Sequence, residues 1–91
     1  MQSYFAEAYL ARPRESELPM HERRARSAAK ELAQQGIAVR FVRSIFVPAD
    51  EICFYVFEAA SADAVSAACE HAALRFERVI EAVDSREEDG K

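Results

Sequence analysis

Residues 52–83 read ICFYVFEAASADAVSAACEHAALRFERVIEAV, and the fold turns on whether this stretch is a chemical site or a strand, a helix and a strand. It holds both cysteines, one of the two histidines and a tyrosine among apolar neighbours. Residues 52–58 are β-branched and aromatic, the composition of a strand. Ser61 follows as a helix N-cap with Asp63 in the first turn, where negative charge suits the helix dipole. Val65, Ala68, Cys69 and Ala72 then recur at helical spacing as a buried stripe. Residues 76–83 return to strand composition. On this reading the cysteine of the helix stripe is a small core hydrophobe.

The same logic extends towards the N-terminus. Residues 3–10 alternate Phe5, Glu7, Tyr9 with Tyr4, Ala6, Ala8, Leu10, a strand with apolar residues on both sides. Beyond Pro13, Ser16 is placed to cap a helix with Pro19 in its first turn. The stripe Ala25, Ala28, Ala29, Leu32 fits 3.6 residues per turn until Gly36 ends it. Residues 37–47 form a second strand, and Pro48-Ala49-Asp50 turns it back into the strand at 52–58 as a hairpin.

The order β-α-β-β-α-β predicts an α+β, ferredoxin-like sandwich: one antiparallel sheet with both helices on one face. Small Ala6 and Ala8 belong under the helices, which sends Phe5, Glu7 and Tyr9 to the other face. On the second strand strict alternation sets Val42 and Phe46 against Phe41 and Ile45. On the third it sets Tyr55 and Phe57 against Phe54 and Val56. A sheet that is apolar on both sides needs cover on both, and two helices supply only one. The expected solution is two sheets packed face to face, a dimeric α+β barrel, with a second copy of the chain as partner.

Composition bounds the rest. Ninety-one residues, 51% hydrophobic with two glycines and three prolines, make one globular domain whose own core is modest. The domain is expected over residues 1–84, with an acidic tail at 85–91. Net charge is −4, with eight basic against five acidic side chains in residues 1–45 and four against eleven in residues 46–91. The one basic cluster, Arg23, Arg24, Arg26 and Lys30, is interleaved with Glu22 and Glu31, the pattern of a solvated helix face rather than a phosphate-tracking surface. No apolar run approaches the ~20 residues of a membrane-crossing helix, and two cysteines with no leader-like start point to a reducing cytoplasm. Neither nucleic acid nor membrane is an expected partner.

Several motifs resemble a small bacterial family of unknown function labelled nickel-binding-protein-like. They are Arg43-Ser44, the Pro48 turn, Phe57-Glu58-Ala59 before a Ser-capped helix, and Ala72-Ala73-Leu74 followed by Glu77-Arg78-Val79 and Glu81. The resemblance spans nearly the whole chain and implies a dimerising ferredoxin-like domain; its label makes nickel or another transition metal the candidate cofactor, while histidines and cysteines without ligand spacing on any one element predict that tight metal binding is absent or weak. The chain departs from that pattern in having Tyr55 where the family has a cysteine in the third strand, and Ala73-Leu74-Arg75 in place of a Gly-Leu-Pro-type link.

Among candidate site residues, Glu7 stands out, because a carboxylate in mid-strand between Phe5 and Tyr9 must be paired, hydrated or used. If the neighbouring strand turns Cys53, Tyr55 and Phe57 to the same face, the result is an aromatic-walled cavity between the sheets. Glu7 and Tyr55 are then the catalytic candidates, as general base and hydrogen-bond donor, and Tyr9, Cys53, Phe57 and Arg43 the ligand contacts. An arginine partner, Arg43 or Arg78, would instead hold Glu7 ionised and structural. His71 is the metal-ligand candidate, although neither it nor His21 has a ligand at i+3 or i+4, and both read as surface histidines. Three functions follow: a dimeric domain binding a small ligand or metal, a small cofactor-free enzyme with an acidic base, and a structural interaction module.

Overall fold

Alternation of small and aromatic residues lets Gln2–Tyr9 pair on both sides as a central strand, β1. The computed structural model describes residues 1–83; the acidic tail expected at 85–91 lies outside them. After β1 come a 3-10 turn (Arg12–Glu17), helix α1 (Leu18–Gln34), the hairpin β2 (Val39–Val47) and β3 (Ile52–Ala59), helix α2 (Ala62–His71) and β4 (Arg78–Ala82). The sheet is antiparallel in the order β2-β3-β1-β4, and both helices pack on one face of it. This is the ferredoxin-like α+β fold expected from the element order.

Helix boundaries follow local chemistry. Ser61 caps α2 as expected, its hydroxyl accepting from the Ala64 N–H at 3.2 Å. Ser61→Ala should therefore lower stability by about 1 kcal/mol in a urea melt, and no change would show that solvent satisfies this helix end equally well. Ser16 does not cap α1. It lies in the 3-10 turn, and Glu17 occupies the cap position with no side-chain bond; Pro19 near the helix start needs no N–H partner there. Both helices end with the same hydrogen-bond pattern: Gly36 N–H donates to Ala33 O and Ile37 N–H to Leu32 O at the end of α1, and Ala73 N–H to Glu70 O and Leu74 N–H to Cys69 O at the end of α2. The pivot residue is left-handed in each case. Gly36 adopts φ 93° freely, whereas Ala73 holds φ 57° against its own Cβ.

The helix-side core is built on alanine. Ala6 and Ala8 of β1 are fully or nearly buried beneath Ala25, Ala28, Ala29 and Leu32 of α1 and Ala64, Val65, Ala68 and Cys69 of α2. Small residues on both sides let helix and sheet backbones approach closely. Phe57 is wholly buried and meets Phe41 edge-on at 5.4 Å between ring centroids.

Register decides the faces. Opposite partners on antiparallel strands share a side, and Ala6 pairs with Tyr55, Ala8 with Cys53 and Tyr4 with Phe57. Cys53, Tyr55 and Phe57 thus point at the helices, opposite to the face expected for them. The open face carries Phe5 beside Val56 and Glu7 beside Phe54 instead. On β2 a bulge between Phe41 and Arg43 breaks the alternation, so that Phe41 and Phe46 both face the core cluster while Ile45, paired with Phe54, is on the open side.

Candidate functional site

Glu7 lies on the open face, as its alternation with Phe5 and Tyr9 requires. Its neighbour on β4 is Arg78, and the Arg78 Nε–H donates to Glu7 Oε1 at 2.8 Å. The mid-strand carboxylate is thereby paired across the sheet with a solvent-facing guanidinium, an arrangement that accounts for its place structurally. Since Tyr55 is on the opposite face, Glu7 and Tyr55 cannot act on one ligand as base and donor. Tyr9 ends β1 and is exposed, its hydroxyl donating to Glu51 at 3.2 Å. Arg43 is exposed on the edge strand β2. Phe57 is a core residue, not a pocket wall.

The chemistry collects on the helix side, where the end of β1, the start of α1 and the connection from α2 to β4 surround a cavity of about 290 Å³. Leu10, Met20 and Leu74 form apolar walls, Tyr55 and His21 a polar floor, and arginines the rim. Tyr55 is only 2% exposed, and its hydroxyl meets His21 Nδ1 at 2.9 Å. His21 Nε2 lies 3.5 Å from Glu17. Glu17 also receives two bonds from Arg14, at 2.9 and 3.0 Å, which hold its carboxyl below the usual range. The result is a line of groups, carboxylate to imidazole to phenol, running from the rim to the floor.

Burial sets the protonation of this line. Desolvation lowers the His21 pKa despite Glu17, and Arg24 and Arg14 lower it further, so the imidazole is neutral near pH 7. Burial raises the Tyr55 phenol well above its ordinary range, with Cys53 adding to the effect. A carboxylate beside Nε2 favours the ring proton on that nitrogen. Nδ1 is then the acceptor and the Tyr55 hydroxyl its donor. The phenol oxygen also has the Cys53 thiol beside it, and one further lone pair can accept from a group arriving through the cavity.

Cys53 and Cys69 are free and fully buried, and burial pushes their thiols up to about 11 and about 12. A protonated, enclosed thiol is a poor nucleophile and a poor metal ligand. Ellman's reagent at pH 8 should accordingly react at least ~100-fold more slowly with the folded than the unfolded chain. Rapid reaction of one thiol would place Cys53 on an accessible surface. His71, at the end of α2, lies 2.5 Å from Glu31 of α1 in an exposed pair. That pair offers two donors, and no group of three His, Cys, Asp or Glu side chains among the described residues could hold a metal ion. The described residues of the single chain therefore do not by themselves supply the ligand set of the nickel site implied by the resemblance. No helix among the described residues is long and apolar enough to cross a membrane.

His21 has no partner three or four positions later on its helix, and so reads as a surface histidine in the sequence. Glu17 lies four positions earlier on the same helix face, a signal present in the sequence; the contact with Tyr55, 34 residues away, is visible only in the fold. Arg24 belongs to the basic run that reads as a solvated helix face in the sequence. It donates to the carbonyls of Ala72 and Ala73 at 2.9 and 2.6 Å, tying α1 to the end of α2 beside the cavity.

Element order, strand register and helix placement define a ferredoxin-like α+β domain. Among solved structures the chain is similar to the crystal structure of SCO4226 from Streptomyces coelicolor A3(2), with a TM-score of 0.70 and 17% identity over 91% of this chain and 98% of that one. At that identity the likeness shows the shared fold. No family model and no curated protein matches the chain.

Proposed function

We propose that this chain is a small-molecule-binding domain that works as a homodimer, with the ligand held on the helix side above Tyr55. The observation that carries the reading is the Tyr55 hydroxyl, buried with its partner His21 at the floor of an open cavity. Polar side chains converging over apolar walls are what fix a ligand's orientation in such a concavity. Dimerisation uses the other face of the sheet. There Phe5 and Phe54 pack at a tilt with ring centroids 5.4 Å apart, Val56, Ile45 and Ile80 lie beside them, and Ile45 is 38% exposed. Glu7 with Arg78 and Glu58 with Arg40 supply both signs of charge on that face, so that it can be its own complement across a twofold axis.

The test of the ligand site is to titrate a panel of small neutral aromatics, amines and carboxylic acids into ¹⁵N-labelled protein. Backbone resonances of Leu10, His21 and Leu74 should move, and Tyr55→Phe should weaken binding about three- to tenfold, the worth of one hydrogen bond, while the fold is kept. Shifts confined to Phe5 and Phe54 would place the ligand between the sheets instead. A second reading has its own observation, the line from Glu17 through His21 to Tyr55: a small acid–base enzyme using His21 as the base. For a ligand that is also turned over, His21→Gln would abolish turnover and leave binding largely intact.

A further inference from the structure

The rim of the helix-side cavity is positive in a chain that is negative overall. Arg14, Arg24 and Arg75 line it with a single carboxylate, Glu17, while the chain as a whole carries −4. The three arginines differ in what already occupies them. Arg14 is committed to Glu17 by two hydrogen bonds. Arg24 is held by the carbonyls of Ala72 and Ala73, which fix its position without neutralising its charge. Arg75 is exposed and has no hydrogen bond or ion pair among the described residues. With His21 neutral, the cavity keeps an excess of two positive charges, and low-dielectric walls concentrate such a field on whatever enters.

Below the rim the demands change. Leu10, Met20 and Leu74 offer no polar partner, and the floor offers the phenol oxygen of Tyr55. The volume, about 290 Å³, is at the low end of the ~300–1,000 Å³ usual for ligand pockets, which suits one ring rather than several. We propose that the site selects a small organic acid with a single-ring apolar body, its carboxylate at the Arg75–Arg24 rim and its body against Leu10, Met20 and Leu74. A hydroxyl at the far end of such a ligand would donate to Tyr55. Arg24, already positioned, holds the carboxylate at low entropic cost, and Arg75 closes over it as the second guanidinium.

This inference rests on the helix-side reading above, and the experiment separates the two. Benzoate and its uncharged counterpart benzyl alcohol are titrated into the ¹⁵N-labelled chain, and the resonances of Leu10, His21, Leu74 and Arg75 are followed. Benzoate should bind at least tenfold more tightly than benzyl alcohol. That preference should fall about threefold or more in Arg75→Gln, and again when salt is raised from about 20 to about 300 mM, because an exposed guanidinium acts through a screened field. Arg75 is a surface residue, so this variant folds. Equal binding of the two probes overturns the selectivity for an acid and leaves the pocket standing. A preference for benzoate that survives both Arg75→Gln and high salt also overturns it. Shifts from neither probe at these residues remove both the inference and the reading beneath it.

Discussion

Phe57→Ala should cost about 3–5 kcal/mol, the range for a large side chain removed from a closed core. Phe57 is wholly buried between β1 and β2, with Tyr4 and Phe41 as its cross-strand neighbours. The core around it is closely packed, with alanines prominent on the facing helices, so little side-chain volume is free to collapse into the space. A domain of this size has about 5–15 kcal/mol in total, so the variant should melt roughly 15–30 °C lower. Phe57→Leu fills most of the volume and should lose about 1.5 kcal/mol. Chemical denaturation of the three proteins is the check. A loss below about 1 kcal/mol for Phe57→Ala would mean that the side chain faces outwards and that the register of β3 is wrong. Such a result would restore Phe57 to the ligand contacts.

The second large effect is on the opposite face. Three strands of eight or nine residues and one of five, about 4.8 Å apart, present a face of roughly 480 Å² in projection, which with side-chain relief approaches the ~800 Å² per partner of a standard interface. Light scattering after size exclusion at micromolar concentration should give twice the chain mass, and Phe54→Glu should halve it. The substitution buries a carboxylate against Phe5 in the dimer and leaves it solvated in the monomer. Far-ultraviolet circular dichroism should be unchanged, since Phe54 contributes nothing to the helix-side core. The thermal midpoint of the native chain should rise with concentration, while that of Phe54→Glu should not. A native chain at single mass, or a variant that keeps the double mass, sinks the face-to-face dimer.

These two substitutions stand three residues apart on one strand, and their contrast shows what the sequence carried. The order of the elements was legible, because a β-branched and aromatic run gives way to helical spacing at Ser61 and Ala25, Ala28, Ala29 and Leu32 all prove buried. The direction of β3 was not. Ile52 to Phe57 is apolar at every position, so alternation within the strand holds no information about which side is which. Only the pairing with Ala6 and Ala8 on β1 settles it. The β2 alternation misled for a different reason, since one extra residue at the bulge inverts everything after it. The site suffered most from this, because Tyr55 belonged with a histidine from α1 and not with Glu7. His21 and Tyr55 meet through packing of α1 on β3, a contact with no local signature. Glu17, one turn before His21, was the part of the site that spacing could have shown.

The bulge on β2 also governs how this protein can stick to others. An open antiparallel sheet offers two kinds of adhesive surface, and edge pairing repeats without limit where face pairing closes after two copies. Each edge here is spoiled for repetition. β2 has its run of free N–H and C=O groups interrupted at Phe41–Arg43 and flanked by the charges of Arg40 and Arg43, and β4 is only five residues long, with Arg78 and Glu81 upon it. Strand-on-strand growth into fibres finds no flat, uncharged template on either side. Whatever adhesion the apolar side chains provide is thereby confined to a contact that terminates itself.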